Sequence, residues 1–231
     1  MPKFFKSNFN GFIDGDDAKH IFKSLRMKIG EDITVCDGNG YDYHCKIEEL
    51  SESLVKLLVN EKIKSATEPN LEVTLYQCFL KGDKFCDVIK HSVELGVTTI
   101  VPVLSEFCVS RPNEKDSIKK IERYNKIAKE AAKQSGRGII PKVLPPINIK
   151  DVPKDTLLFY ECGGEPVNNI LPSLILENKN LSVLIGSEGG FSQKEAAYFK
   201  NKATLGKRIL RAETAPLAAL TAIMLLSGNL E

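Results

Sequence analysis

The sequence predicts a two-domain α/β protein, with a small β-rich domain over residues 1–68 and a larger domain over 71–231 whose strands and helices alternate around a parallel sheet. Three observations carry this. Residues 1–66 hold short stretches of alternating apolar and polar residues around a turn, Asp37-Gly38-Asn39-Gly40. Residues 64–70, Lys-Ser-Ala-Thr-Glu-Pro-Asn, are polar, contain a proline and read as a linker. From residue 71 onward, continuous apolar runs alternate with helical stretches.

In the first domain, Asp16–Arg26 reads as a short helix. Asp32–Asp37 and Tyr41–Ile47 alternate with period two on either side of the glycine turn, and Leu54–Val59 adds a strand. A small β-barrel or β-sandwich is expected. In the second domain, Leu71–Leu80 is a strand, Asp83 a candidate cap for a helix running to Leu95, and Gly96 its stop. Val97–Leu104 then completes a β-α-β unit, which implies parallel pairing. A long helix is expected over Glu114–Gln134, with Ile118, Ile121, Tyr124, Ala128, Ala131 and Ala132 at helical spacing and lysines on the other faces. Ile139–Leu144, Thr156–Tyr160, Leu181–Ile185 and Lys207–Leu210 read as strands. Ser192-Gln193-Lys194-Glu195 is a capping box. Thr214 is a candidate cap for a last apolar helix that tolerates Pro216 in its first turn and ends near Ser227-Gly228.

Composition narrows the function classes. The chain has 231 residues, 42% hydrophobic and 27% charged, with a net charge of +2. The longest apolar candidate, Ala215–Leu226, is too short to span a bilayer, and the opening residues hold no long apolar stretch, so the expected compartment is the cytoplasm and no membrane partner is expected. The six cysteines show no CxxC pair and read as reduced thiols in apolar positions. His20, His44 and His91 are too dispersed for a metal site, so no metal is expected. Charge is uneven. Residues 111–142 hold 10 basic against 4 acidic residues, and residues 200–211 hold 5 basic and none acidic. Such clusters can contact phosphates, and solvated helix faces explain them as well.

Three segments can carry chemistry. In Leu184-Ile185-Gly186-Ser187-Glu188-Gly189-Gly190-Phe191-Ser192, a buried strand ends in a glycine turn that feeds a capped helix. Glycines let backbone approach a ligand, and exposed N–H groups suit a polar ligand edge. The loop is neither a Walker A sequence nor GxGxxG. A ligand loop and a purely structural turn are equally compatible with it. In Leu205–Ala215, Arg211 and Glu213 precede a helix start, where they are either displayed to a ligand or form an ordinary surface pair. Glu130–Arg137 closes the basic helix with Ser135-Gly136, and its Gln134 and Arg137 suit phosphates or base edges, or a merely solvated helix end.

Together with His20–Arg26, Gly30, Asp37-Gly38, Glu94-Leu95-Gly96 and Pro141, these segments resemble the RsmE family, the 16S ribosomal RNA uridine N3-methyltransferases of the SPOUT superfamily. The resemblance runs over nearly the whole chain. It implies an N-terminal PUA-like β-barrel that binds RNA, a C-terminal SPOUT-type parallel α/β domain with a trefoil knot, and a homodimer. It also implies S-adenosyl-L-methionine as cofactor and 16S rRNA or the small ribosomal subunit as partner. On this resemblance the methyl donor sits among Leu158, Glu161, Gly163, Ile185, Gly186, Glu188, Gly189, Gly190, Leu205, Gly206, Ile209, Leu210 and Thr214. RNA contacts fall to Lys3, His20, Arg26, Arg123, Lys133, Gln134 and Arg137. Two residues depart from the family pattern: Ser187 stands where proline is usual, and Lys3 where arginine is common. Uridine N3 must lose a proton before it attacks, so Arg211 is expected to stabilise charge on the uracil oxygens, with Glu188 or Glu213 orienting it or assisting proton loss. Two other readings fit the same motifs: a SPOUT methyltransferase of another rRNA or tRNA site, and a non-catalytic RNA-binding ribosome-assembly factor.

Overall fold

The computed structural model describes residues 2–230 and separates into two compact units, Met1–Glu68 with Ala132–Ile140, and Pro69–Ala131 with Pro141–Glu231. The linker expectation places one cut near residue 68. The chain is cut three times, because the end of the long helix and the turn after it are built into the first unit.

The first unit is a five-stranded sheet of β1 (Lys3–Phe5), β2 (Phe12–Asp14), β3 (Asp32–Cys36), β4 (Tyr41–Leu50) and β5 (Leu54–Lys64), in the order β1-β3-β4-β5-β2. Only β1–β3 is parallel. Two register shifts, at His44/Cys45 and Ile47/Glu49, interrupt the β4–β5 ladder, and such bulges bend a strand pair. Among the described residues the edge strands β1 and β2 do not pair, so the sheet is a curled half-barrel rather than a closed barrel. Its core is Phe4, Ile13, Ala18, Ile21, Ile33, Val35, Cys45, Ile47, Val55 and Leu57, supplied by alternate strand positions and one helix face. The expected 16–26 helix is two shorter pieces, α1 (Gly15–Lys19) and a π turn at His20–Ser24, and it stops at Arg26, which adopts φ 52°.

The second unit holds β6 (Glu72–Cys78), α2 (Lys84–Glu94), β7 (Thr99–Leu104), α3 (Glu114–Gln134), β8 (Lys142–Val143), β9 (Ile147–Asn148), β10 (Leu157–Phe159), β11 (Glu165–Pro166), α4 (Val167–Glu177), β12 (Asn180–Ile185), α5 (Gln193–Tyr198), β13 (Lys202–Thr204) and α6 (Ala215–Leu226). The last turn of α3 is counted in the first unit. All the strands pair in parallel, in the order β11-β13-β10-β12-β6-β7-β8, with β9 beside β7. Val73, Leu75, Ile100, Val103, Leu157, Leu158, Val183 and Leu184 are fully buried. Strands enclosed on both faces read as continuous apolar runs, which is why β6, β7, β10 and β12 were legible.

Several expectations need correction. The strand expected at Lys207–Leu210 is loop, with Ile209 85% exposed. The true strand is β13, whose only buried side chain is Ala203 and which ends ahead of Gly206 at φ 104°. The 139–144 strand shrinks to β8, with Ile139 in an isolated bridge to Asn39. Helix α4 was missed because Pro172 lies inside it. Neither Asp83 nor Thr214 caps its helix through its side chain. Thr214 is itself helical (φ −89°, ψ −35°), and Asp83 instead pairs with Arg123. The Ser192–Glu195 capping box forms as expected. Cys36, Cys45, Cys78 and Cys108 are buried, Cys86 is half-buried, and Cys162 is exposed rather than in an apolar site. No helix among the described residues is long and apolar enough to cross a membrane.

Candidate functional site

Strands β6 and β12 are neighbours in register, Gln77 opposite Ile185, so the loops leaving their C-terminal ends lie side by side. Ligands of open parallel sheets gather at those ends. A cleft of about 340 Å³ opens there, lined by Lys84, Phe159, Glu161, Ile185–Glu188, Gly190, Phe191, Ile209–Glu213 and Ala215. A smaller recess of about 70 Å³ shares Phe159, Glu161, Ile209, Leu210 and Ala215 with it and adds Leu205 and Gly206.

The glycine turn follows from packing. Gly190 takes φ 66°, and a Cβ there would meet Glu161 Oε1 at 3.3 Å. A Cβ on Gly186 would sit 3.1 Å from the Phe191 ring, and one on Gly189 only 2.8 Å from Phe107 Cβ. The turn closes on itself, with the Gly190 N–H donating to the Ser187 carbonyl at 2.9 Å. Beneath it the fully buried Gln77 amide donates to the Gly186 carbonyl at 3.2 Å, fixing the turn to β6. Ser187 is 5% exposed, with its hydroxyl beside the Cys108 thiol. The nearby Cys108 thiol is held down to about 5, chiefly by a hydrogen bond from Cys78, yet at 5% exposure it is closed to ligands.

Charge is concentrated on one wall. Lys84, the first residue of α2, places its ammonium 3.1 and 3.2 Å from the two Glu213 oxygens and 3.8 Å from Glu188 Oε1. Glu188 Oε1 also accepts the Lys81 N–H at 3.1 Å. A backbone hydrogen bond at its own residue, and then Lys84 and Arg211, hold the Glu213 carboxyl below the usual range, so it stays ionised. Arg211 is exposed and, among the described residues, forms no ion pair, while its carbonyl accepts the N–H groups that start α6.

Of the expected donor residues, Glu161, Ile185, Gly186, Glu188, Gly190, Leu205, Gly206, Ile209 and Leu210 line these cavities, as do Arg211 and Glu213. Leu158, Gly163, Gly189 and Thr214 do not. Leu158 is core, Gly189 backs onto Phe107, and Gly163 and Thr214 are exposed away from the lining. Sequence reasoning missed Lys84, Phe159 and Phe191. The apolar pair lies within quoted motifs, whereas Lys84 carried no signal beyond the Gly82-Asp83 turn before it.

The expected RNA contacts divide. Arg123 is in the second unit and the other six in the first. His20, Arg26 and Gln134 are exposed. Arg123 is exposed and pairs with Asp83 at 2.9 Å, and Lys133 lies 3.7 Å from Asp17. The structure turns two of the expected contacts, Arg137 and Lys3, inward. Arg137, with only 3% of its side chain exposed, bonds Glu68 at 2.6 Å, and Glu68 Oε1 also accepts the N–H groups of Gly138 and Ile139. Lys3 bonds Asp42 and the Gly136 carbonyl, each at 2.9 Å. Lys3 ties the 136–139 turn to β1, and Arg137 ties it to Glu68 beyond the end of β5.

Comparison with known proteins identifies the frame around the cleft. The profile of the RNA methyltransferase domain family matches residues 67–224, and that of the RNA methyltransferase PUA domain matches residues 13–59. The chain is 31% identical over 91% of its length to ribosomal RNA small subunit methyltransferase E of Bacillus subtilis, covering 88% of that protein. To the protein of that name in Mesomycoplasma hyopneumoniae it is 34% identical, covering 96% of this chain and 98% of that one. The crystal structure of ribosomal RNA small subunit methyltransferase E from Neisseria gonorrhoeae bound to S-adenosyl methionine superposes with a TM-score of 0.83 at 31% identity, over 98% of both chains. With its parallel-sheet cleft and PUA unit, the chain belongs to the RNA methyltransferase family of the ribosomal RNA small subunit methyltransferases E.

Proposed function

We propose that this protein transfers a methyl group from S-adenosyl-L-methionine to N3 of a uridine in the 16S rRNA of the small ribosomal subunit. The observation that carries the reading is the convergence of Glu161, the 185–190 turn and the 205–213 segment on one cleft at the C-terminal ends of parallel strands. These residues fit the donor. Phe159, Ile185, Phe191 and Leu210 offer apolar surface to a flat base, Gly186 and Gly190 line the cleft with backbone alone, and Glu161 and Glu188 offer negative charge to a sulfonium. When bound, the donor supplies an electrophilic methyl group. Arg211 faces the charge that develops on the uracil oxygens as N3 loses its proton, and Glu188 or Glu213 orients that arginine or accepts the proton.

The reading extends to assembly and location. Ile209, Leu225 and Leu226 are 85%, 60% and 47% exposed, apolar surface that suits a homodimer with the cleft near its interface. The proposed compartment is the cytoplasm, where ribosomal subunits are the substrate, and His20, Arg26, Arg123 and Gln134 are the expected RNA contacts that remain exposed. Incubating subunits that lack the modification with the protein and S-adenosylmethionine, followed by nucleoside mass spectrometry, tests the function. Appearance of 3-methyluridine supports it. A different methylated nucleoside overturns the base assignment, and no methylation at all favours an RNA-binding assembly factor.

A further inference from the structure

The charged groups lining the cleft are Lys84 on α2, Glu161 after β10, Glu188 in the glycine turn, and Arg211 and Glu213 before α6. Lys84 does not treat the two wall carboxylates alike. Its ammonium engages both oxygens of Glu213 at 3.1 and 3.2 Å but stands 3.8 Å from Glu188, beyond hydrogen-bond distance. Glu188 keeps one neutral donor, the Lys81 N–H on Oε1, and its Oε2 has no hydrogen-bond partner among the described residues. A carboxylate clasped on both oxygens by a cation is a poor proton acceptor, and one with an open oxygen is a better one.

We propose that Lys84 is a positioning residue that divides the labour of the two glutamates, fixing Glu213 as a permanent anion beside Arg211 and leaving Glu188 to accept the uridine N3 proton. In the step this implies, the N3–H bond breaks and its proton passes to the open Glu188 oxygen. The N3 electron pair forms the bond to the methyl carbon, and the methyl–sulfur bond breaks with its electron pair remaining on sulfur. The inference rests on the proposed uridine N3 chemistry.

The sign of the pH effect follows from the contacts. Removing the Lys84 charge raises the carboxyl pKa of Glu213, so its ionised form beside Arg211 is lost at higher pH and the acidic limb of the kcat profile moves up. Lys84→Met is expected to move the acidic limb of the kcat profile up by about one unit, a tenfold change in the ionisation equilibrium, with the loss confined to that limb and less than about threefold at pH 8.5. Lys84→Arg restores the profile, and donor affinity by calorimetry stays within about threefold for both, a difference of under about 0.7 kcal/mol. Glu188→Gln is expected to cost about a hundredfold or more in kcat, as loss of a general base does, and Glu213→Gln less. A Lys84→Met loss equal at all pH values, no loss, or a Glu213→Gln defect larger than that of Glu188→Gln would overturn the division of labour. Product analysis on the wild-type enzyme separates this from failure of the function itself: an enzyme that makes 3-methyluridine but shows any of those three results retains the function and loses the inference.

Discussion

Arg137 and Arg211 both occur in motif-like segments near a helix end, and the structure gives them opposite fates. Arg137 is enclosed, with its guanidinium on Glu68 and that carboxylate bound in turn to the next two backbone amides. Arg211 stands exposed on the cleft wall without an ion pair among the described residues, two residues from a carboxylate that Lys84 already holds. Enclosure and full pairing mark a residue that shapes the chain. Exposure in a concave site, with donor capacity unused, marks one that acts on something else.

Substituting three arginines in turn tests that contrast. Arg137→Ala strands a carboxylate that is 13% exposed and is expected to cost about 3–5 kcal/mol of unfolding free energy, read by urea denaturation. A loss under 1 kcal/mol with weakened RNA binding would make it an RNA contact after all. Arg211→Ala is expected to leave the denaturation midpoint in place and lower kcat about a hundredfold or more, in the range of one lost oxyanion donor, with donor binding unchanged. Full turnover would remove Arg211 from the chemistry. Arg123→Ala breaks only an exposed pair with Asp83 and is expected to change stability by less than about 0.5 kcal/mol. A fall in subunit affinity from that substitution alone would assign Arg123 to the RNA surface.

The same contrast explains what was legible in the sequence. The glycine turn and its capping box were readable because their constraints are local: a missing Cβ, a positive φ and a side chain bonded three residues away. The β6-α2-β7 unit was readable from apolar runs that parallel burial requires. Lys84 was not, since it meets Glu188 and Glu213 only because β12 lies beside β6, a neighbour relation between distant segments that no local pattern encodes. Strand β13 was hidden by its composition, one buried alanine between polar residues, and α4 by its internal proline. The inward turn of Lys3 and Arg137 was invisible for a related reason: a basic residue carries the same charge whether it meets a phosphate or a buried carboxylate.

The first unit's division into two stretches of chain has a consequence for its birth. During synthesis, residues up to Glu68 emerge first, carrying a sheet whose Glu68 lacks Arg137, whose Asp42 shares Lys3 with no Gly136 carbonyl, and whose Ser65 has yet to meet the turn that closes over it. Those partners arrive only after β6, α2, β7 and most of α3 have been made. The N-terminal unit is therefore begun first but completed only once residue 140 is free, so its final closure is set by the progress of its neighbour's synthesis rather than by its own.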